Sequence, residues 1–464
     1  MKFIALGDTD GIGASCHFLD IANTGLVLDA GTDPQREGPD SLPRFDLVRD
    51  RADSYVDHAL ITHAHHDHMS SLPVLAREFP HVKAHMTDAT SRLLKFLLPA
   101  AARLQKKRQR KGETTHDPLY TEEELEVLSH LYLTHDLGEN FDVTGTQGEV
   151  PLTARFHSAG HILGSVGVEL QFEENGRARR LFYTSDTNMQ AQTIIPGGQY
   201  PDSTDVLVLE TTLGADAEAE QTSRPEERDR FRETLSQVLD RGGTALIPVF
   251  VMGRAQEMLV LLGQLKREGA IPTDVPIYTA GSMRAIAELY DETRDTTPRN
   301  DPSEQVFAVE QERVPYEAEA KSEILSGPGI MVVSSGMMFE PTLSNVLARR
   351  IVENEDDAVL LVGHPAEGTP ARRLQEAAEQ GPGAPVMLAE GHGPQPVYCT
   401  VERFRFTGHS DRRDLLKIVE QMQPSTVLLV HGDPEAQEWM ARNIEHFHPE
   451  MDVRRPEWGR MIEL

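Results

Sequence analysis

The chain has 464 residues, 39% hydrophobic and 26% charged, which is enough to bury the cores of two or three globular domains. No apolar run reaches the roughly 18 residues of a membrane span, so a membrane protein is excluded. Two cysteines are too few for a disulfide framework or a cysteine zinc site, which makes a reducing cytoplasm the expected compartment. A formal net charge of −29 repels polyanions at long range, although a local cationic cleft can exist on an acidic body.

Short β-rich runs open the chain, and helical patterns replace them between about residues 70 and 134. The stretch TEEELEVLSHLYLT, residues 121–134, is predicted to form one amphipathic helix with acids in its first turn. Strand-like runs return from residue 150. A polar, charge-dense stretch from 214 to 232 then breaks the pattern and indicates a domain boundary.

Strands and helices alternate regularly after this boundary, beginning with GTALIPVFV and AQEMLVLLGQLKREG. Such an order predicts a compact parallel α/β unit. The last segment, from residue 400, again has the pattern strand, helix, strand, helix, and no internal repeat is visible.

The stretch LITHAHHDHMSSLP, residues 60–73, places a cluster of histidines directly after an apolar run. On the loop that follows such a strand, His63 and His65 can direct two imidazoles at one cation, and Asp67 and His68 can reach a second. The alternative is a polar histidine cluster on a surface turn. A catalytic zinc needs three protein ligands and an open position, so further ligands are expected elsewhere in the chain.

Three further candidates follow apolar runs: His161 in SAGHILGS, Asp186 in FYTSD and His431 in VLLVHGD. Taken singly, a histidine after a strand is more often a hydrogen-bonded structural residue. Taken together, these residues supply the further ligands that the stretch 60–73 lacks for a two-metal site, because a carboxylate such as Asp186 can bridge two cations. Two neighbouring cations are suited to phosphoryl displacement.

These motifs resemble those of a known family. The set DAG (29–31), HAHHDH (63–68), AGHILGS (159–165) and YTSD (183–186) is similar to the motif series of the metallo-β-lactamase fold. The set LETTLG (209–214), TGHSD (407–411) and VHGD (430–433) is similar to the three motifs of its β-CASP branch, which includes the nuclease subunit of the cleavage and polyadenylation factor. The resemblance covers nearly the whole chain.

The resemblance implies an α/β fold, an αββα metallo-β-lactamase sandwich with an inserted parallel α/β β-CASP cap domain. The implied domains are residues 1–213 and 398–464 for the sandwich and 214–397 for the cap. It also implies two Zn²⁺ per chain. One would be held by His63, His65 and His161, the other by Asp67, His68 and His431, with Asp186 bridging them and Asp29 orienting the ligands.

The implied activity is a zinc-dependent ribonuclease, endo- or 5′-3′ exonucleolytic, in which a bridging hydroxide attacks phosphorus. Asp67, His409 and Glu210 are the expected catalytic residues. His409, kept basic by Glu210, would protonate the leaving 3′ oxygen, giving 3′-hydroxyl and 5′-phosphate ends. The expected partner is RNA, most simply single-stranded, with no membrane; a homodimer is left open. The alternatives are a DNA nuclease, a small-molecule ester or thioester hydrolase, and a non-catalytic subunit.

Three features keep two interpretations each. His66 is interpreted as a surface or supporting histidine rather than a ligand. Ser334 and Ser335 beside Gly336 either cradle a phosphate through backbone N–H groups or merely end a strand. The basic run 103–112, with six cations and no acid, either grips RNA phosphates or forms the solvated face of a helix.

Overall fold

We describe a computed structural model of the chain over residues 1–9, 11–51, 55–315, 324–325 and 327–464. The chain divides into two compact units. The first unit comprises Met1–Gln190, Gly197–Ala217 and His409–Leu464, and the second comprises Ala191–Pro196 and Glu218–Gly408. The predicted domain limits at 213/214 and 397/398 stay predictions. Within the described ranges, no helix combines the length and hydrophobicity needed to cross a membrane.

The first unit contains two mixed seven-stranded sheets. In the first sheet, antiparallel pairing on one side changes to parallel pairing on the other. Its strands, in spatial order, are β22 (Met461–Glu463), β1 (Lys2–Ala5), β2 (His17–Ile21), β3 (Thr24–Leu28), β4 (His58–Leu60), β5 (Lys83–Met86) and β6 (Tyr132–Thr134). The last strand of the chain therefore pairs with the first.

The second sheet of the first unit likewise combines parallel and antiparallel pairs. Its strands, in spatial order, are β21 (Asp452–Arg454), β20 (Thr426–Val430), β11 (Val206–Glu210), β10 (Arg177–Tyr183), β9 (Val166–Glu174), β8 (Leu152–Ser158) and β7 (Asn140–Asp142). Strand β8 alternates buried and half-exposed residues, and its buried Leu152, Ala154 and Phe156 join one apolar cluster with residues of the first sheet. The core thus lies between the two sheets.

Helices cover the outer faces of both sheets. In the first unit, the helix Asp88–Arg110 lies against β6. Leu415 and Ile418 of the helix Arg412–Met422 and Met440 of the helix Pro434–Phe447 pack with Leu207 of the second sheet. This arrangement confirms the predicted αββα sandwich. The α-helices of the described residues, in chain order, are α1 (Asp46–Arg49), α2 (His66–Met69), α3 (Leu72–Glu78), α4 (Asp88–Arg110), α5 (Glu122–Leu128), α6 (Arg224–Asp240), α7 (Arg254–Arg267), α8 (Met283–Glu292), α9 (Leu343–Ile351), α10 (Pro370–Glu379), α11 (Arg412–Met422) and α12 (Pro434–Phe447).

The prediction of one helix over residues 121–134 is wrong in its second half. Helix α5 ends at Leu128, and after a 3₁₀ turn the chain enters β6, where Tyr132 pairs with Ala84 of β5. The start is as expected, because Thr121 and Glu124 form a reciprocal capping box. The aromatic and β-branched residues of β6 fit a sheet edge, so tertiary pairing overrides the helical pattern there.

The second unit is built on a six-stranded sheet in which all pairs are parallel, which confirms the predicted parallel α/β cap. A separate pair, β17 (Ala384–Val386) and β18 (Gln395–Val397), is antiparallel. The strands of the main sheet, in spatial order, are β14 (Glu312–Arg313), β13 (Ile277–Thr279), β15 (Gly329–Val333), β12 (Thr244–Pro248), β16 (Ala358–Val362) and β19 (Thr400–Phe404).

Helix α6 occupies much of the polar stretch that suggested only a boundary. Its start is encoded locally, because Ser223 and Glu226 form a capping box and Pro225 follows at the first turn. Its buried Phe231, Leu235 and Val238 recur at helical spacing among charged residues. The high charge density of residues 214–232 therefore hides an amphipathic helix.

Candidate metal centre

The predicted ligands lie where strands of the first unit end. His63 follows β4, His65 is the residue before α2, and Asp67 and His68 lie within α2. The chain after β3 passes close beside α2, since a Cβ atom at Gly31 would lie 1.7 Å from the carbonyl oxygen of Asp67. This close approach holds the histidine-rich turn against the sheet edge.

The first cluster joins His63, His65, His161 and Asp186. The Nδ1 atom of His65 lies 3.2 Å from Nε2 of His63 and 3.1 Å from Nε2 of His161. Atom Oδ2 of Asp186 lies 3.6 Å and 3.5 Å from the same two Nε2 atoms. Three imidazoles and one carboxylate oxygen therefore converge on a single point, as ligands of one cation do.

The second cluster joins Asp67, His68 and His431. Nε2 of His431 lies 3.4 Å from Oδ2 of Asp67, and Nε2 of His68 lies 3.9 Å from the same oxygen. The other oxygen of Asp186, Oδ1, lies 3.2 Å from Nε2 of His68 and 3.1 Å from Nδ1 of His431. Each oxygen of Asp186 thus faces a different cluster, which is the arrangement of a bridging carboxylate.

The donor set fits divalent cations. Oδ1 of Asp186 is shielded from solvent and forms no hydrogen bond, although two imidazole nitrogens lie beside it. Burial holds the pKa of His63 well below its ordinary value and lowers that of His65 to about 4, so both rings are neutral, as metal ligands must be. Burial opposes charge on His68 as well, but the Asp186 and Asp29 carboxylates raise its pKa well above the ordinary value. This part of the site attracts positive charge.

Asp29 supports the second cluster from behind. Its fully buried carboxylate accepts hydrogen bonds from Nδ1 of His68 at 2.9 Å, from Oη of Tyr183 at 2.9 Å and from the backbone N–H of Thr62 at 2.8 Å. Because Asp29 holds the proton on Nδ1 of His68, Nε2 is the nitrogen that faces the cluster and would give up its proton on binding a cation. This is the usual arrangement of a carboxylate that orients a metal-ligating histidine.

Replacing Asp29 by asparagine should weaken metal binding by about 10–100-fold, because the amide holds the His68 ring and its tautomer less firmly. Chelator competition monitored by a zinc-responsive dye measures the affinity. The variant Asp33→Asn, a carboxylate outside both clusters, is the control and should bind as wild type. An unchanged affinity in Asp29→Asn would show that the hydrogen bond to His68 does not prepare the ligand.

His409 and Glu210 form a hydrogen-bonded pair beside the clusters. Nδ1 of His409 lies 3.1 Å from Oε1 of Glu210, and the His409 ring centroid lies 4.6 Å from that of His161. Glu210 is fully buried and also accepts backbone N–H bonds from Thr187 and Thr212. Burial alone would lower the pKa of His409, but the Glu210 carboxylate raises it to about 9. The ring is therefore suited to donate a proton at neutral pH.

Three residues at strand ends adopt left-handed backbone conformations that L-residues rarely occupy: Asp29 with φ 59°, Ser185 with φ 51° and His431 with φ 51°. Such local strain is found at functional sites because the surrounding structure holds it in place. The sequence does not predict a supporting role for Ser185, whose hydroxyl forms a hydrogen bond of 2.6 Å with that of Thr62. Small hydroxyl residues are too common for spacing alone to identify them.

The remaining candidates lie outside the clusters. His66 is exposed and its Nδ1 lies 3.1 Å from the Ser70 hydroxyl, in agreement with its interpretation as a surface residue. The basic run lies on the exposed end of α4, where Arg103 and Arg108 are ion-paired with Glu122 and Glu37. Ser334 and Ser335 follow β15 in the second unit. Both interpretations of the basic run and of the serines stay open.

Two clusters of imidazoles and carboxylates lie at the strand ends of an αββα sandwich. This arrangement is typical of metal-dependent hydrolases. Family models agree with this class and refine it. The model of the metallo-beta-lactamase superfamily matches residues 9–168, that of the Beta-Casp domain matches 255–374, and that of the Zn-dependent metallo-hydrolase RNA specificity domain matches 394–456. The chain therefore carries a metallo-β-lactamase domain, a Beta-Casp domain and an RNA specificity domain, which confirms the predicted resemblance to the β-CASP branch. The metallo-β-lactamase domain implies binding of divalent metal.

Curated relatives and a solved structure extend the comparison. The chain is 29% identical over 458 residues to "Endoribonuclease YSH1" of Kluyveromyces lactis, covering 93% of this chain and 55% of the relative. The protein of the same name from Saccharomyces cerevisiae is 28% identical over 451 residues, with coverages of 93% and 54%. The chain thus spans about half the length of the curated relatives it matches. A structure titled as a protein of unknown function from Enterococcus faecalis shares the fold, with a TM-score of 0.56, 14% identity and coverages of 100% and 99%.

Proposed function

We propose that the chain is a zinc-dependent ribonuclease that hydrolyses RNA phosphodiester bonds to 3′-hydroxyl and 5′-phosphate ends. The observation that carries the proposal is the position of Asp186 between two ligand clusters, with the His409–Glu210 pair beside them. The match to an RNA specificity domain and the endoribonuclease names of the relatives support RNA as the substrate.

Seven residues would hold two zinc ions. His63, His65 and His161 would bind one, and Asp67, His68 and His431 the other, with Asp186 between them. Bound zinc would supply Lewis-acid stabilisation of the phosphate charge and would acidify a water molecule near neutral pH. The neutral rings of His63 and His65 need lose no proton to bind a cation, which favours loading at neutral pH.

The chain's own acid is His409. Glu210 accepts the Nδ1 proton, which fixes the ring orientation, so Nε2 is the nitrogen from which a proton would pass to the leaving 3′ oxygen. The two backbone N–H groups that donate to Glu210 keep its carboxylate in place. Asp67, through its position in the second cluster, would orient the reacting groups rather than transfer the proton.

A cleavage assay tests this function. Purified protein with zinc is incubated with 5′-labelled single-stranded RNA and with DNA of the same sequence, and Asp186→Ala is run in parallel. We expect RNA fragments that disappear with the variant and with chelator, and two zinc ions per chain by elemental analysis. Fragment lengths distinguish internal cleavage from digestion that starts at the 5′ end.

The other outcomes identify the alternatives. Cut DNA with intact RNA would favour a DNA nuclease, and hydrolysis of a thioester with both nucleic acids intact would favour a small-molecule hydrolase. We also propose that the preferred RNA is single-stranded and that the compartment is the cytoplasm. A homodimer stays an open alternative to a monomer. The buried, unpaired Cys16 and Cys399 are compatible with a reducing compartment.

A further inference from the structure

The end of helix α4 concentrates positive charge in a chain that is otherwise strongly acidic. Three of the nine lysines of the chain, Lys106, Lys107 and Lys111, lie there. Together with three arginines they make up the run of six cations without an acid, whereas the whole chain has a net charge of −29. An acidic body repels a polyanion at long range, so a polyanion is held where cations are concentrated.

Four of these cations lie on one face of α4, because residues three and four positions apart are neighbours on a helix. This stripe, the basic face, comprises Arg103, Lys106, Lys107 and Arg110. The opposite face holds the chain that returns after the helix. There Gln105 accepts the backbone N–H of Leu119 at 2.8 Å, and Gln109 donates to Oδ1 of Asp117 at 2.7 Å. The basic face is thus left open to solvent.

Most of the basic face carries charge that no acid balances. Within the part of the chain that the structure describes, the exposed side chains of Lys106, Lys107 and Arg110 form no ion pair and no hydrogen bond. The neighbouring acids pair with the other cations of the run: Glu122 with Arg103, Glu37 with Arg108 and Glu113 with Lys111. Cations also stabilise a helix end through its dipole, but that effect is confined to the last turn, which Lys106 precedes.

The start of α4 is fixed beside the metal centre. The hydroxyls of Thr87 and Thr90 donate to the carbonyl oxygen of Gly164 at 2.9 Å and 3.0 Å. Gly164 lies three residues after His161, a member of the first cluster. Since α4 has 23 residues and rises about 1.5 Å per residue, the basic face begins about 22 Å along the helix and ends at about 33 Å.

The end of α4 is fixed to the segment that leaves Asp29, the residue that supports the second cluster. Arg108 pairs with Glu37 of this segment. The ring of His116, which follows α4, lies so close to Gly38 that an added Cβ would come within 2.4 Å of its Cγ. The basic face and the metal centre therefore belong to one connected part of the first unit.

We propose that the basic face of α4 binds the phosphates of an RNA strand at a distance from the bond that is cleaved. At the spacing of a stacked strand, about 3.4 Å per nucleotide, roughly six or seven nucleotides separate the Gly164 end of α4 from the basic face. Exposed lysines and arginines neutralise phosphates without contacting base edges, so the contact adds affinity but no sequence preference. The identity of the polyanion as RNA rests on the proposed function, whereas the preference for a polyanion follows from the unpaired cations.

Equilibrium binding of a long single-stranded RNA in EDTA, where no cleavage occurs, tests the contact. The triple variant Lys106→Gln, Lys107→Gln, Arg110→Gln should bind up to roughly 100-fold more weakly at about 0.1 M salt, and its salt slope should fall by about 0.7 for each phosphate that it no longer neutralises. Unchanged affinity and slope would overturn RNA as the partner of the basic face.

A control variant removes the same net charge elsewhere in the first unit: Arg49→Gln, Arg442→Gln, Arg460→Gln. Each of these arginines is exposed and pairs with an acid nearby in the sequence, so the loss of the pair costs little stability. This control should bind RNA as wild type does. An equal loss of affinity in both triple variants would mean that only the net charge matters, and would overturn the site.

The length of the RNA tests the distance. With zinc present, the triple variant of the basic face should show a raised KM and an unchanged kcat on the long strand, because none of its three residues belongs to a ligand cluster. On a trinucleotide, which is too short to reach from the metal centre to the basic face, both constants should equal those of wild type. An equal loss on both RNAs would overturn a contact remote from the cleaved bond. Weaker binding of long RNA by the variant, in a protein that cuts no RNA, would contradict the proposed function and support this site.

Discussion

Replacing Asp186 by asparagine should abolish both metal loading and RNA cleavage. Its two oxygens face different clusters, Oδ2 toward His63 and His161 and Oδ1 toward His68 and His431. An amide retains the shape of the side chain but supplies neither the negative charge nor a second acceptor oxygen. We expect the cleavage rate to fall by roughly 10³-fold or more, since the loss removes several kcal/mol of transition-state stabilisation.

Elemental analysis and single-turnover cleavage measure the two effects on the same preparation. The matched control is His66→Ala, which alters the same histidine-rich turn at an exposed position outside both clusters. That variant should keep its metal and its rate. Two zinc ions retained in Asp186→Asn, with the rate intact, would mean that the clusters bind metal without sharing this carboxylate.

Replacing His409 by alanine should slow cleavage by about 10²–10⁴-fold while leaving the metal content unchanged, because general acid catalysis typically contributes that much. His409 belongs to neither ligand cluster. The loss should be smaller for an RNA with a good leaving group at the scissile bond, since such a group needs no proton. A loss of metal in this variant would instead assign His409 to the ligands.

The dependence of the rate on pH distinguishes a proton donor from a merely structural histidine. With its pKa raised to about 9, His409 is protonated at neutral pH, so the rate should fall as pH rises through that value. Glu210→Gln removes the carboxylate that raises this pKa, and the alkaline limb should move to lower pH. An alkaline limb at the same pH in Glu210→Gln and in wild type would contradict the pairing.

Much of the candidate site was predictable because its ligands follow apolar strands. His63, Asp186 and His431 each come after buried runs, and the clusters bring together the ends of β4 in the first sheet and of β10 and β20 in the second. The hydrophobic pattern of the strands therefore predicts where the ligands lie, and the residue types predict that they bind metal. The supporting hydroxyls of Thr62 and Ser185 were not predicted, because their role depends on contacts between segments more than a hundred residues apart.

Errors in the predicted elements share a cause in tertiary context. The amphipathic pattern of residues 121–134 is continuous, but its last residues pair with β5 as a strand. Helix α6 was hidden by its charge, since apolar residues are few within it. The same charge masked Arg224, whose unpaired nitrogen becomes visible only when its neighbours are known. The residue pattern of one segment does not show which polar groups of that segment lack a hydrogen-bond partner in the folded protein.

The position of His431 late in the sequence has a consequence for synthesis on the ribosome. All four residues of the first cluster have been synthesised once residue 186 is added, whereas His431 and the strand β20 that precedes it follow only after the second unit. At ordinary translation rates the interval is roughly tens of seconds. A nascent chain therefore holds the first set of ligands complete while the second set still lacks His431, and the proposed two-metal site is completed only when residue 431 has been made.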